Sequence, residues 1–165
     1  MDKEVEPAVL PIKVRQQIDH WVAKYPKDQK QSAVLPALHI VQDNMGGYLT
    51  PELMAAVADY LEMPRVAVLE VASFYSMYYH KPAGKYKIDV CTNIACMLRD
   101  SSKILAHFEQ RLQIRPGETT PDGKFSLRKV ECLGACVGAP MCQINKDYHE
   151  NLSPEKIDQI LDRLE

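Results

Sequence analysis

Four cysteines stand in two close pairs, Cys91 with Cys96 in CTNIAC and Cys132 with Cys136 in CLGAC. The segment between the pairs reads as a helix followed by a strand. Thiolates are preferred by soft metals, and sets of four hold iron–sulfur clusters or structural zinc. A lone buried cysteine usually acts as a small hydrophobe, which explains two loop-borne pairs poorly. The spacings C-x4-C and C-x3-C match neither the C-x2-C pairs of zinc fingers nor the C-x-x-C of a thioredoxin-type dithiol. They also differ from the plant-type ferredoxin run, and a Rieske centre needs two histidines where His80 and His149 lie outside the loops. Spacing alone leaves both zinc and a cluster open.

The loops themselves suit a negatively charged group. An oxidised [2Fe-2S] unit with four thiolates carries a charge of about −2, and reduction adds one more. Backbone N–H groups and helix N-termini solvate such charge. Thr92, Asn93 and Ile94 precede a helix, and Gly134 and Gly138 flank Cys136, where the absence of a Cβ permits close approach. Both glycines also read as ordinary turn residues. The fifth cysteine, Cys142, shares a strand face with Ile144 and is expected in the core. His20, His39 and His107 fall within helices as surface or core residues.

The elements that position these residues can be read from periodicity. Helices are expected over Val14 to Tyr25, with Ile18, Trp21, Val22 and Tyr25 at helical spacing, and over Ala33 to Met45, ending at Gly46-Gly47. Thr50-Pro51-Glu52 starts another, running to about Glu62, and Pro64 opens a fourth through Tyr75. Lys81-Pro82-Ala83-Gly84 marks a boundary. Beyond it Tyr86, Ile88 and Val90 alternate with Lys85, Lys87 and Asp89, a strand that delivers Cys91 at its end. A helix carrying Ile104, Leu105, Phe108 and Leu112 follows. Then come a turn at Thr120 to Lys124, a strand from Phe125 to Val130, a short strand at Met141 to Ile144, a turn at Asn145 to Asp147, and a last helix capped by Ser153-Pro154-Glu155. The β-α-β order predicts two parallel strands, with both cysteine pairs leaving one edge of the sheet.

Bulk properties exclude several classes. Hydrophobic content of 46% and charged content of 25% are those of a globular protein. A net charge of −2 without a basic run predicts no nucleic-acid partner. The acidic start MDKEVEPAVL lacks the features of a secretory signal, and no apolar run has the length of a membrane span. A cytoplasmic protein without direct membrane insertion is expected, and five cysteines there indicate metal or redox chemistry over disulfides. The seven glycines form neither G-x-G-x-x-G nor G-x-x-x-x-G-K, so no nucleotide or flavin site is expected in this chain.

From about Ala33 to Leu164 the chain resembles the small [2Fe-2S] subunit of NADH:quinone oxidoreductase, the peripheral-arm ferredoxin of respiratory complex I. The resemblance is carried by LPALHIVQDNMGGYLTPELMAAVADYLEMP, VASFYSMY, CTNIAC, RPGETTPDGKFSL and ECLGACVGAPM. It implies an α+β fold: a helical segment over residues 1–84 and a thioredoxin-like [2Fe-2S] ferredoxin domain over residues 85–165. It implies Cys91, Cys96, Cys132 and Cys136 as cluster ligands. It also implies single-electron exchange with the FMN of a partner flavoprotein that binds NADH, beside further iron–sulfur subunits of the same complex. Such a complex would hold the chain peripherally on the cytoplasmic side of the inner membrane. The same subunit type occurs in soluble NAD-linked hydrogenases and formate dehydrogenases. From another class, a non-catalytic scaffold with a four-cysteine zinc site remains open.

Residues 33 to 79 carry many apolar side chains, among them Leu53, Met54, Val57, Leu61, Val68, Leu69, Phe74 and Tyr78. A helical segment this small is expected to leave a share of them for a partner. The Phe74 to His80 run is read as a helix end packing on the sheet or, alternatively, as part of a partner surface.

Overall fold

In the computed structural model, which describes residues 6–164, helices precede a four-stranded sheet. The acidic start Met1–Val5 lies outside the described residues. The chain divides between Pro82 and Ala83 into two units, each with a core of its own.

The first unit holds four α-helices. α1 (Ile12–Val22) buries Val14 and Ile18 one turn apart. Trp21, expected on that face, instead lies at the surface with the Lys24 ammonium 3.5 Å from its ring centroid. α2 (Val34–Asn44) follows a 3-10 turn at Lys30–Ala33 and takes Pro36 in its first turn, where proline is tolerated. Gly46 and Gly47 then take positive φ, and the Gly47 N–H returns to the Gln42 carbonyl at 2.9 Å. α3 (Pro51–Leu61) begins as the sequence predicts: Thr50 Oγ1 accepts the Leu53 N–H at 3.3 Å and Pro51 takes the first position. α4 (Arg65–Phe74) starts after Pro64.

The apolar set expected of this unit divides between core and surface. Leu53, Met54, Val57, Leu61, Val68 and Tyr78 are buried in one helical core, and only Leu69 and Phe74 of that apolar set stay exposed. α1 adds Val14 and Ile18 to that core from upstream, and Ala55, Ala56 and Ala58 let α3 pack closely, while Val66, Leu69, Phe74, Tyr75 and Met77 remain exposed, the uncovered share the sequence leads one to expect. Within the Phe74 to His80 run, Tyr78 is buried in the helical core of its own unit, while Phe74, Tyr75 and Met77 are exposed. Tyr78 donates its hydroxyl to the Leu35 carbonyl at 2.9 Å. The buried Gln42 donates to Met77 O at 3.2 Å and accepts the Tyr79 N–H at 2.7 Å.

The second unit is built on β1 (Tyr86–Cys91), β2 (Phe125–Val130), β3 (Cys142–Ile144) and β4 (Asp147–His149), ordered β2-β1-β3-β4. β1 and β2 are parallel, as the β-α-β order requires, and the other pairs are antiparallel. The connection between β1 and β2 carries two helices where one was expected: α5 (Ile94–Leu98) and α6 (Ser101–Leu112). Asp100 separates them by adopting a left-handed conformation, φ 62°. α7 (Pro154–Leu164) ends the unit, with the Lys156 N–H on Ser153 Oγ at 3.3 Å.

Alternation along β1 sends Ile88 and Val90 into a core with Leu127, Cys142, Ile144, Phe108 of α6, and Ile157 and Leu161 of α7. Arg111 fastens the two helices through Asp158 and Asp162, both at 2.9 Å, and His107 Nε2 meets Asp158 at 2.8 Å. On the opposite sheet face Arg128 grips its register neighbour Asp89 with two bonds, 2.7 and 2.9 Å. Among the described residues, no helix is long and apolar enough to cross a membrane.

Candidate metal centre

β1 ends in Cys91, and β2 ends in Val130 directly beside it, so both cysteine loops leave the same sheet edge. Two backbone bonds hold their exits together: the Thr92 N–H to Val130 O at 2.9 Å, and the Cys91 N–H to Met141 O at 3.2 Å. Cys91 lies at the strand end and Cys96 in α5. Both are buried against Ala139 and Met141. Cys132 and Cys136 are exposed, and Cys136 opens a 3-10 turn, Cys136–Gly138.

The structure relates three of the four thiols directly, Cys91, Cys96 and Cys136. The Cys91 thiol donates to Glu131 O at 3.7 Å, and both Cys91 and Cys136 bear on the Cys96 thiol. Cys132 accepts the Gly134 N–H at its sulfur, 3.4 Å away. Among the described residues, no three cysteine, histidine or acidic side chains are gathered closely enough to hold a metal ion as they stand. Burial first, then the bond to Cys91 and the nearby Cys91 and Cys136 charges, push the Cys96 thiol up to about 11. Such a thiol keeps its proton at neutral pH until a cation displaces it. Soft thiols in two pairs, one buried and one exposed, on loops that leave one sheet edge are of the kind that suits an iron–sulfur group.

Cys142 lies apart from the four. It is fully buried in the sheet core, as expected, where burial and the Asp89 charge push its thiol up to about 12. Its proton stays on and its sulfur acts as packing.

The expected backbone donors are placed differently. The Thr92 N–H is engaged by Val130, and the Ile94 N–H by Asn93 Oδ1 at 2.6 Å. Gly134 is the residue whose N–H faces a cysteine sulfur, and its φ of 77° suits glycine. Gly138 is required for another reason: a Cβ there would run into the Glu150 side chain. Two anchors were not read from the sequence. Arg99 Nη1 donates to Ala139 O at 3.3 Å, bridging the two loops, and Tyr148 donates its hydroxyl to Leu133 O at 2.6 Å. The hairpin turn at Asn145 signals that β4 pairs with β3, but nothing local indicates where the Tyr148 hydroxyl reaches.

Apolar side chains stand exposed along these loops. Ile94, Met97 and Leu98 project from the first, and Val137, 96% exposed, from the second.

Known proteins match this arrangement. The family model for thioredoxin-like [2Fe-2S] ferredoxins matches residues 18–165. An NADH-quinone oxidoreductase subunit of Rickettsia bellii (strain RML369-C) is 48% identical over 87% of this chain and 86% of its own length. Its counterpart in Rhizobium meliloti (strain 1021) is 43% identical over 90% of this chain and 87% of its own. Among solved structures, a NAD+-reducing [NiFe]-hydrogenase in the air-oxidised state superposes with a TM-score of 0.65 at 21% identity over 79% of this chain. This chain spans only 22% of that hydrogenase chain, and the likeness is one of fold. With the family match extending over both units and the paired cysteine loops at one sheet edge, the chain belongs to the thioredoxin-like [2Fe-2S] ferredoxin family.

Proposed function

We propose that this chain is the electron-transfer subunit of an NADH:quinone oxidoreductase, holding its [2Fe-2S] cluster through Cys91, Cys96, Cys132 and Cys136. The observation that carries the ligand reading is the shared edge: Cys91 and Val130 end neighbouring parallel strands, so both cysteine loops rise at one place. Relatives at 43–48% identity along most of their length support the complex. When bound, the cluster takes up and releases one electron at a time.

The chain's own residues do the rest. Cys91 and Cys96, buried beneath Ala139 and Met141, keep water from one side of the centre. Cys132 and Cys136 stand on the exposed side, where a partner can approach. Ile94, Met97, Leu98 and Val137 offer that partner an apolar rim, a surface of the kind that marks interfaces. The partner we assign is the NADH-binding flavoprotein of the complex, which supplies the nucleotide and flavin chemistry. Through it and the other iron–sulfur subunits the chain is held peripherally at the cytoplasmic face of the membrane.

Co-purification tests this reading. A tagged chain expressed from its native locus should bring down a flavoprotein and membrane-bound subunits. Recovery with a soluble hydrogenase or formate dehydrogenase instead would assign the chain to that type of complex.

A further inference from the structure

Tyr148 sits on β4 opposite Gln143 of β3, and its hydroxyl donates to the Leu133 carbonyl at 2.6 Å. Leu133 directly follows Cys132. The next N–H along the chain, that of Gly134, donates to Cys132 Sγ at 3.4 Å. The two bonds belong to a single peptide group. That peptide is trans, since the one cis bond recorded among the described residues joins Ala139 to Pro140. In a trans peptide the carbonyl and the N–H point in opposite directions. Tying the oxygen to Tyr148 therefore aims the hydrogen at the sulfur. Gly134, with φ 77° and no Cβ, gives this peptide freedom to turn over when the tie is absent.

An N–H···S bond withdraws negative charge from the sulfur. A cluster becomes more negative on reduction, so the bond is stronger in the reduced state and raises the potential. We propose that Tyr148 is a positioning residue that sets the reduction potential of the cluster by holding the Leu133–Gly134 peptide with its N–H on Cys132. The proposal rests on Cys132 being a ligand, as assigned under the proposed function.

The test uses the full chain purified with its cluster and titrated by visible absorbance and electron paramagnetic resonance. Tyr148→Phe removes one oxygen and keeps the ring. It should retain iron while the ratio of reduced to oxidised cluster at a fixed poise falls about tenfold, which is about 59 mV for a one-electron couple. Gln143→Ala is the control, because the Gln143 amide bonds Asn145 O at 2.8 Å and leaves the loop alone. Its potential should be unchanged. A wild-type potential in loaded Tyr148→Phe overturns the proposal, and so does an equal fall in Gln143→Ala. A second readout needs no variant. In wild-type chain labelled with 15N-glycine, pulsed resonance of the reduced cluster should show a coupled glycine nitrogen. The other loop glycine, Gly138, gives its N–H to Ala135 O at 3.1 Å, so the coupling reports Gly134. Absence of that coupling also overturns the proposal. Full iron retention in Cys132→Ala would instead sink the ligand assignment, and iron content scores it separately.

Discussion

Cys91 and Val130 are register partners, the last residues of two parallel strands. Each strand hands its chain to a cysteine loop at the same height, so strand pairing sets both loops at one edge before any side chain contributes. The Thr92 N–H on Val130 O, 2.9 Å, locks that exit.

The cysteines should separate by role. Replacing Cys91, Cys96, Cys132 or Cys136 with alanine should empty or severely destabilise the cluster, read as iron and sulfide per chain. Cys142→Ala should keep the cluster and lower the stability of the fold by about 1 kcal/mol, the scale of a small core truncation. Loss of cluster in Cys142→Ala with retention in Cys136→Ala would reverse the assignment.

Cys142 also sets a pH dependence. Its thiol, ordinarily titrating near 9.0, is held up at about 12 in the fold by burial. A raised pKa means the unfolded chain releases the proton first, so the contribution is complete below about 9 and is lost as pH rises from about 9 to 12. Urea midpoints of the cluster-free chain should therefore fall across that window, and more steeply than in Cys142→Ala. Equal slopes for the two proteins would contradict it.

In the helical unit, Gln42 is a buried polar side chain bonded to both Met77 O and the Tyr79 N–H, the latter at 2.7 Å. Gln42→Leu keeps the volume but removes both the acceptor of that N–H and the donor to Met77 O. A loss of about 1–3 kcal/mol is expected from chemical denaturation of the full chain. A change under about 0.5 kcal/mol would show that the 75–80 segment does not depend on Gln42.

We propose that the two units are separable domains. The fragment 83–165 contains Cys91, Cys96, Cys132 and Cys136 and all four strands of the sheet. It should fold and bind a cluster without the helices. Recovery of the fragment only as an unfolded, iron-free chain would refute separability.

The apolar rim gives a partner prediction. Val137 is almost fully exposed and lies next to Cys136. Val137→Asp should keep the iron content and weaken recovery of the flavoprotein about tenfold or more, since a desolvated charge costs well over about 1.4 kcal/mol. Unchanged recovery would place the interface elsewhere.

Much of this architecture is legible because the chain states it locally. Thr50-Pro51 announces α3, and alternation from Tyr86 to Val90 announces β1. The turn before β2 is fixed by Asp122, whose carboxylate accepts the Lys124 N–H at 3.0 Å. The shared edge of the cysteine loops then follows from connection rules. What was not legible depends on residues far apart in sequence. The burial of Tyr78 needs Leu35, 43 positions away. The break between α5 and α6 turns on Asp100 adopting φ 62°, which apolar spacing does not encode. Thr92 looked like a free donor for the cluster, yet its N–H is taken by Val130, 38 positions downstream.

Metal analysis with magnetic resonance tests most directly whether these four thiols hold a redox cluster. The full chain, purified and kept anaerobic, should contain two irons and two sulfides and be red-brown. Reduction should bleach it and produce the paramagnetic signal of a one-electron-reduced [2Fe-2S] centre. Stoichiometric zinc in a colourless protein free of iron and sulfide would contradict the account.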